Sequence, residues 1–129
     1  MIKGKQFIDN CFNEHNIINY HKLNNKPFIS VIIPVYNCKN TISAAIKSVQ
    51  NQNFTDFEII LIDDFSSDNT SYIIKSIKER DSRIKIFKNK KNMGSLYSRS
   101  IGALSCKGDY ILLALREFQL SIIMKILIK

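Results

Sequence analysis

The amino-acid sequence predicts an α/β fold with an open, mostly parallel sheet and helices on both of its faces. Four short runs rich in apolar residues predict strands, and the first two are typical of strands that are buried on both sides. Between them lie three stretches whose apolar residues recur at helical spacing. This alternation favours parallel strands joined by right-handed crossovers, because each helix has to pack back onto the sheet. At 129 residues, the chain corresponds to one domain or to part of one.

The first half of the pattern contains two strands and one helix. The apolar, β-branched run over residues 28–34 predicts the first strand, which we expect Pro34 to end. Asn40 or Thr41 is placed to cap the helix that follows. A second buried strand is predicted over residues 57–62. The apolar face of the helix between the two strands consists of Ile42, Ala45, Ile46 and Val49.

The second half contains two helices and two strands. Turn and capping residues at 66–70 precede the second helix. Residues 83–87 alternate between polar and apolar, which predicts a half-exposed third strand, and residues 88–92 form a basic loop. A fourth strand is predicted over residues 109–113. The apolar face of the second helix consists of Ile73, Ile74 and Ile77. A third helix is predicted over residues 95–105, and Lys107 with Gly108 is its stop signal.

The composition and the chain ends narrow the class of protein. The formal net charge of +8 admits anionic partners such as nucleic acid, a membrane surface or a phosphorylated small molecule. Residues 1–27 are a polar, Asn-rich leader and linker without the apolar core of a signal peptide. No run of about 18 apolar residues predicts a transmembrane segment. Cys11, Cys38 and Cys106 form no metal-binding or disulfide pattern, so we expect a cytoplasmic or intracellular protein.

The predicted topology indicates where a ligand binds. In open α/β sheets, ligands bind beyond the carboxyl ends of the strands, which are here residues 34–37, Asp63 with Asp64, and the segment after the fourth strand. Tyr36 can stack on a flat base, or it can be a half-buried packing residue. Asp63 and Asp64 can accept hydrogen bonds from a ligand, or they can form a turn and cap a helix. We expect one carboxylate to serve each purpose.

Several functional classes lack their motifs. The chain has four glycines and no GxGxxG or P-loop sequence, which weighs against a dinucleotide enzyme or an NTPase. His15 and His21 lie in the polar leader without a partner at metal-binding spacing. No aromatic RNA-binding pattern or recognition helix accompanies the basic residues, so no nucleic-acid partner is expected.

Several segments, in order, resemble the family 2 glycosyltransferases of the GT-A, nucleotide-diphospho-sugar transferase type. The first is Phe28-Ile-Ser-Val-Ile-Ile-Pro-Val-Tyr-Asn37. Another, residues 59–70, is an apolar strand followed by two Asp and a Ser/Asp/Thr turn. The segments are residues 28–37, 48–58, 59–70, 81–83, 92–94, Arg99 and 107–110. The resemblance implies a partial GT-A domain over residues 28–115, incomplete at its carboxyl end, and an unmatched tail over residues 116–129.

The resemblance implies a nucleotide-sugar donor, most often a UDP-sugar, and sugar transfer to an acceptor hydroxyl. Tyr36 would pack on the base, Asp64 would hydrogen-bond the base, and Asp63 would shape the same pocket. Arg99 would lie near the diphosphate or the base, where a guanidinium suits the charge and the geometry; alternatively, it is a surface residue of the third helix. The implied nucleotide-binding residues are Pro34, Val35, Tyr36, Asn37, Asp63, Asp64 and Arg99.

The sequence departs from the family pattern after the fourth strand. The family carries an Asp-x-Asp motif there, which holds Mg²⁺ or Mn²⁺ against the donor diphosphate. The matching positions are Leu115 and Glu117, with Arg116 between them, so the metal ligands are missing. No catalytic residue is assigned, because the acceptor-binding half is not matched. We therefore expect a truncated copy with impaired or no activity; the alternative is a non-catalytic nucleotide-binding or partner-binding module.

Overall fold

The computed structural model describes residues 26–113, in which strands and helices alternate throughout. The elements are β1 (Ile29–Val35), α1 (Ile42–Gln50), β2 (Phe57–Asp63), α2 (Thr70–Lys78), β3 (Ile84–Lys88), α3 (Ser95–Ser105) and β4 (Tyr110–Leu113). The four strands form one sheet in the order β3-β2-β1-β4, and every neighbouring pair is parallel. The predicted α/β fold is confirmed.

Helices cover both faces of this sheet, as predicted. On one face, Ile33, Leu61 and Ile84 share the larger apolar core with α1 and α2, whose buried members include Ile46 and Ile74. On the other face, α3 contacts β1 and β2 over a smaller cluster of Ile32, Ile60 and Ile62. Because side chains alternate between the faces of a strand, one uninterrupted apolar run supplies both cores.

Some element boundaries differ from the sequence predictions by one residue. Pro34 does not end the first strand: it lies within β1, which continues to Val35, and pairs with Ile62. The described pairing of β1 with β4 stops at Ile32, so Pro34 lies beyond that ladder. Thr41 is the residue before α1, but its hydroxyl donates to the carbonyl of Cys38 and makes no helix-capping bond. The predicted half-exposed third strand is confirmed as β3.

A buried polar network lies on the α3 face, toward the amino ends of the strands. One oxygen of Glu58 accepts hydrogen bonds from the Ser30 hydroxyl (2.6 Å) and the Lys107 N–H (2.7 Å), and the other pairs with Lys85 Nζ (2.7 Å). The Ser30 hydroxyl in turn accepts the Gly108 N–H at 2.8 Å. Burial raises the pKa of Glu58, but these hydrogen bonds together outweigh burial and hold that pKa below its ordinary value of 4.5. The network fixes the turn that leads into β4.

A second carboxylate interaction fixes the entry to β3. Asp81 Oδ1 accepts hydrogen bonds from the backbone N–H and Nε of Arg83, both at 3.0 Å, while Oδ2 accepts from Nη2 at 2.9 Å. Gln50, at the end of α1, also donates to Oδ2 of Asp81 at 3.0 Å. The Arg83 hydrogen bonds are the main reason that the pKa of Asp81 is lowered from 3.8 to about 2.

We expect Asp81→Asn to lower the free energy of unfolding by about 1–2 kcal/mol at neutral pH, because it removes charge-assisted hydrogen bonds. Since the folded state lowers the pKa of Asp81, its stabilising contribution is present above 3.8 and is lost as the pH falls toward 2. Urea unfolding of both proteins near neutral pH and at about pH 2 measures this, and the difference between them should shrink in acid. An equal difference at both pH values would show that the charge of Asp81 does not matter.

Candidate functional site

The loops after β1, β2 and β3 meet at one edge of the sheet. We call these loops, residues 36–41, 64–69 and 89–94, the carboxyl rim. From β1, the chain adds β2 and then β3 on one side of β1, and it then crosses back to place β4 on the other side of β1. The order of the strands therefore reverses beside β1. This switch point is where open α/β sheets bind ligands. The predicted residues Pro34, Val35, Tyr36, Asn37, Asp63 and Asp64 all lie at the ends of β1 and β2.

The end of β1 is joined to the loop after β2 by a set of short hydrogen bonds. The Asp64 N–H donates to the Val35 carbonyl at 2.8 Å. Asn37, with a left-handed φ of 46°, donates its N–H to the Ser66 hydroxyl at 3.0 Å. Its side-chain oxygen accepts the Ser67 N–H at 2.8 Å. Tyr36 is half-buried between these attached residues. The two loops therefore form one unit.

Asp63 forms the turn that leads into α2. Its side chain is buried at the last position of β2. Oδ1 accepts the Ser66 N–H at 2.9 Å, and Oδ2 accepts the hydroxyl of Ser71 in the first turn of α2. An Asp side chain that bonds its own backbone in this way stabilises a turn. This is the turn-forming role expected for one of the two carboxylates.

Asp64 holds the loop after β3 against the end of β2. Its carboxylate is 4% exposed. Oδ1 accepts hydrogen bonds from Met93 N–H at 2.7 Å and Asn89 Nδ2 at 3.0 Å, and Oδ2 accepts the Gly94 N–H at 2.9 Å. Gly94 has a φ of 89° and directly precedes α3, where most other residues would be strained. Asp64 thus determines where the basic loop and the start of α3 lie; its predicted hydrogen bond to a base stays a prediction.

Asn89 is a structural residue of the rim that the sequence did not single out. The sequence places it within the basic loop over residues 88–92, and the structure shows that it is buried, with 9% exposure. Its N–H donates to the Asp63 carbonyl at 2.8 Å, and its amide donates to Asp64 and to the Ser98 hydroxyl at 2.9 Å. Asn89 therefore connects β2, the loop and α3. No periodicity marks it, because one buried residue inside a basic stretch leaves no pattern.

Positive charge faces solvent around this rim. Arg99 follows the buried Ser98 on α3, and within residues 26–113 its Nε is buried without a hydrogen-bond partner. Lys88, Lys90 and Lys91 are exposed on β3 and the loop beside it. Asp63 and Asp64 are buried and accept bonds from the chain, so Asp68 is the partly exposed carboxylate of the rim, and the exposed lysines around it outnumber it. The arrangement suits an anion better than a cation.

The described residues do not form a metal site. No group of three or more His, Cys, Asp or Glu within residues 26–113 is placed to hold a metal ion. The rim carboxylates are engaged by backbone and side-chain donors, so this donor set does not fit Mg²⁺ or Mn²⁺. Leu115, Arg116 and Glu117, where the sequence predicts that the metal ligands are missing, lie outside the described residues. In the described part of the chain, none of the helices is long and apolar enough to cross a membrane.

The sheet and its rim define a GT-A-type α/β domain. Residues 30–114 match the family model for glycosyl transferase family 2. The chain belongs to this family, which confirms the resemblance seen in the sequence.

Curated relatives are glycosyltransferases. An uncharacterised glycosyltransferase of Haemophilus influenzae is 42% identical over 87 residues, which cover 67% of this chain and 35% of the relative. A Campylobacter jejuni protein named GalNAc(5)-diNAcBac-PP-undecaprenol beta-1,3-glucosyltransferase is 38% identical over 86 residues, or 66% of this chain and 28% of the relative. The chain thus spans about a third or less of these relatives.

Solved structures agree with this fold. TarS residues 1–349 from S. aureus, in complex with UDP, has a TM-score of 0.62 at 27% identity, covering 67% of this chain and 26% of that one. GalNAc-T7 with UDP, GalNAc and Mn²⁺ has a TM-score of 0.59 at 29% identity, covering 74% of this chain and 20% of that one. UDP is therefore bound in both of these structures, and Mn²⁺ is present in that of GalNAc-T7.

Proposed function

We propose that residues 26–113 bind the UDP portion of a UDP-sugar, as the donor-binding part of an enzyme that transfers the sugar to an acceptor hydroxyl. The observation that carries this proposal is the hydrogen-bonded carboxyl rim, together with the unpartnered Nε of Arg99 on α3, the helix that begins at this rim. The UDP complex of TarS, a protein of the same fold, supports the choice of nucleotide.

The base would lie against the ends of β1 and β2. Pro34, Val35, Tyr36 and Asn37 would border it, and Tyr36 would pack on it. Asp63 would act by shaping the turn, because both of its oxygens accept hydrogen bonds from residues of that turn and of α2. Asp64 would act mainly by holding the loop over residues 89–94 in place, whether or not it also hydrogen-bonds the base.

The diphosphate would lie toward the start of α3. Arg99 is suited to phosphate oxygens because its guanidinium is permanently charged and presents a planar fork of donors. A buried N–H without a partner costs free energy, which a phosphate acceptor at Nε would recover. Lys90 and Lys91 would raise the local concentration of the anion from the exposed loop.

We expect Arg99→Ala to weaken UDP binding by about tenfold or more, because a charge-assisted hydrogen bond contributes about 1.5–3 kcal/mol. Isothermal titration calorimetry with UDP measures this, and the melting temperature should barely change, since no described partner of Nε is lost. Arg80→Ala is the matched control, because Arg80 is exposed just beyond α2, at the opposite edge of the sheet. Equal UDP affinities of the wild type and Arg99→Ala would remove Arg99 from the site.

Transfer itself is tested separately from binding. Purified protein incubated with UDP-sugars, with and without Mn²⁺, would show whether this chain turns over the donor. UDP binding without transfer would favour the non-catalytic nucleotide-binding module, whereas transfer would show that the chain supplies the catalytic groups.

A further inference from the structure

Phe65 has an unusual backbone conformation at the carboxyl rim. It directly follows Asp64 and has a φ of 65°, in the left-handed region. That region is costly for a residue with a bulky side chain, and Phe has no polar group that could form a compensating local hydrogen bond. Its side chain is nevertheless 51% exposed. The chain thus holds an aromatic ring in solvent at a position where glycine would be less strained.

The residues on either side enforce this conformation. Before Phe65, the Asp64 N–H is bonded to Val35 and the Asp64 carboxylate to Met93 and Gly94. After it, the Ser66 N–H is bonded to Asp63 Oδ1 at 2.9 Å. Since residues 64 and 66 are both fixed, residue 65 has to take up the sharp turn. Strained backbone that is fixed in this way is concentrated at ligand sites.

The neighbouring loop shows the same feature. Asn37, at the end of β1, also has a left-handed φ, and it is hydrogen-bonded to Ser66 and Ser67, next to Phe65. Among the described non-glycine residues, these two have positive φ, and both lie at the carboxyl rim. The exposed ring therefore belongs to the loop pair that contains Tyr36.

We propose that the ring of Phe65 is a stacking surface for the nucleobase of a nucleoside diphosphate. This inference rests on the proposed function and adds a residue to its base-binding contacts. An aromatic face stacks on any base, because every base has a π-face. Asp64 and Ser66, on either side of it, already hold the rim together, and the ring of Phe65 is a large apolar group that stays exposed there. The strain then serves to present the ring to the ligand.

The test compares Phe65→Gly with Phe65→Leu. Glycine relieves the strained φ and removes the ring, so the melting temperature should not fall while UDP affinity drops by about fivefold or more. Leucine keeps an apolar side chain and the strained backbone but lacks the π-face, so UDP affinity should fall here as well. Phe65→Tyr keeps the ring and should bind UDP like the wild type. Pyrophosphate, which has no base, should bind all four proteins equally.

The possible outcomes separate this inference from the proposed function. Absence of UDP binding by folded wild-type protein overturns the proposed function and this inference together. UDP binding by the wild type that Phe65→Gly leaves unchanged overturns the inference alone. Equal losses of UDP and pyrophosphate affinity in Phe65→Gly also overturn it, because they would indicate a distorted rim and not a lost stacking contact. A loss of UDP affinity alone, without a lower melting temperature, supports it.

Discussion

Replacing Asp64 with asparagine should destabilise the chain by about 2–4 kcal/mol and abolish UDP binding. The carboxylate accepts hydrogen bonds from Asn89, Met93 and Gly94. Asparagine offers one acceptor oxygen and one NH₂ group, so in either orientation the NH₂ faces at least one N–H donor. That donor loses its partner against the buried side chain of residue 64, and we expect the loop over residues 89–94 to move away from β2. Urea unfolding and calorimetry with UDP measure the two effects.

Asp63→Asn is the matched control, because it is the same substitution at the adjacent buried residue. Here the new amide oxygen can still accept the Ser66 N–H, and the new NH₂ can donate to Ser71, whose hydroxyl can also accept. We expect a loss of less than about 1 kcal/mol and retained UDP binding. Equal losses of stability in the two variants would contradict the distinct roles assigned to the two carboxylates.

Replacing Gly108 with alanine should destabilise the chain by about 3 kcal/mol or more, and much of the protein should be unfolded. An added Cβ would lie 2.6 Å from the backbone nitrogen of Ser30 and 2.7 Å from the carbonyl carbon of Ile29. Both atoms belong to β1 in the interior of the sheet, so no side-chain rotation relieves the overlap. The turn would move, and the Gly108 N–H would lose its bond to Ser30. Thermal and urea unfolding measure the loss.

Gly94→Ala separates a steric clash from the general cost of losing a glycine. The added Cβ at Gly94 has no atom within 4 Å, but the φ of 89° is strained for alanine. We expect a loss of about 1–2 kcal/mol there, less than at Gly108. If Gly94→Ala were the more destabilising variant, the close approach of Gly108 to β1 would not be the dominant effect.

Most of the architecture was predictable from periodicity. Four apolar runs and three helical faces led to the parallel sheet, and the order of motifs led to the family. The boundary at Pro34 was predicted incorrectly. Proline has no N–H, so it disrupts a strand at positions where a neighbouring strand would accept a hydrogen bond from that N–H. Pro34 lies beyond the described pairing with β4, so a proline fits there.

The position of the carboxyl rim was predictable, but its internal contacts were not. The rule that ligands bind at the carboxyl ends of strands places Tyr36, Asp63 and Asp64 correctly at the rim. The sequence could not show which carboxylate holds which loop, because that depends on hydrogen bonds between residues about 30 positions apart, such as Asp64 and Gly94. The buried Asn89 and the left-handed Phe65 are also tertiary consequences, since neither residue type predicts its conformation.

The most direct test of a UDP site at the carboxyl rim is an NMR titration of ¹⁵N-labelled protein with UDP. We expect saturable shifts of backbone amide signals from residues 35–37, 64–67 and 93–99. Signals from the opposite edge, such as Phe57 and Gly108, should stay unchanged. Absence of shifts in folded protein, or shifts centred on the amino ends of the strands, would contradict the account.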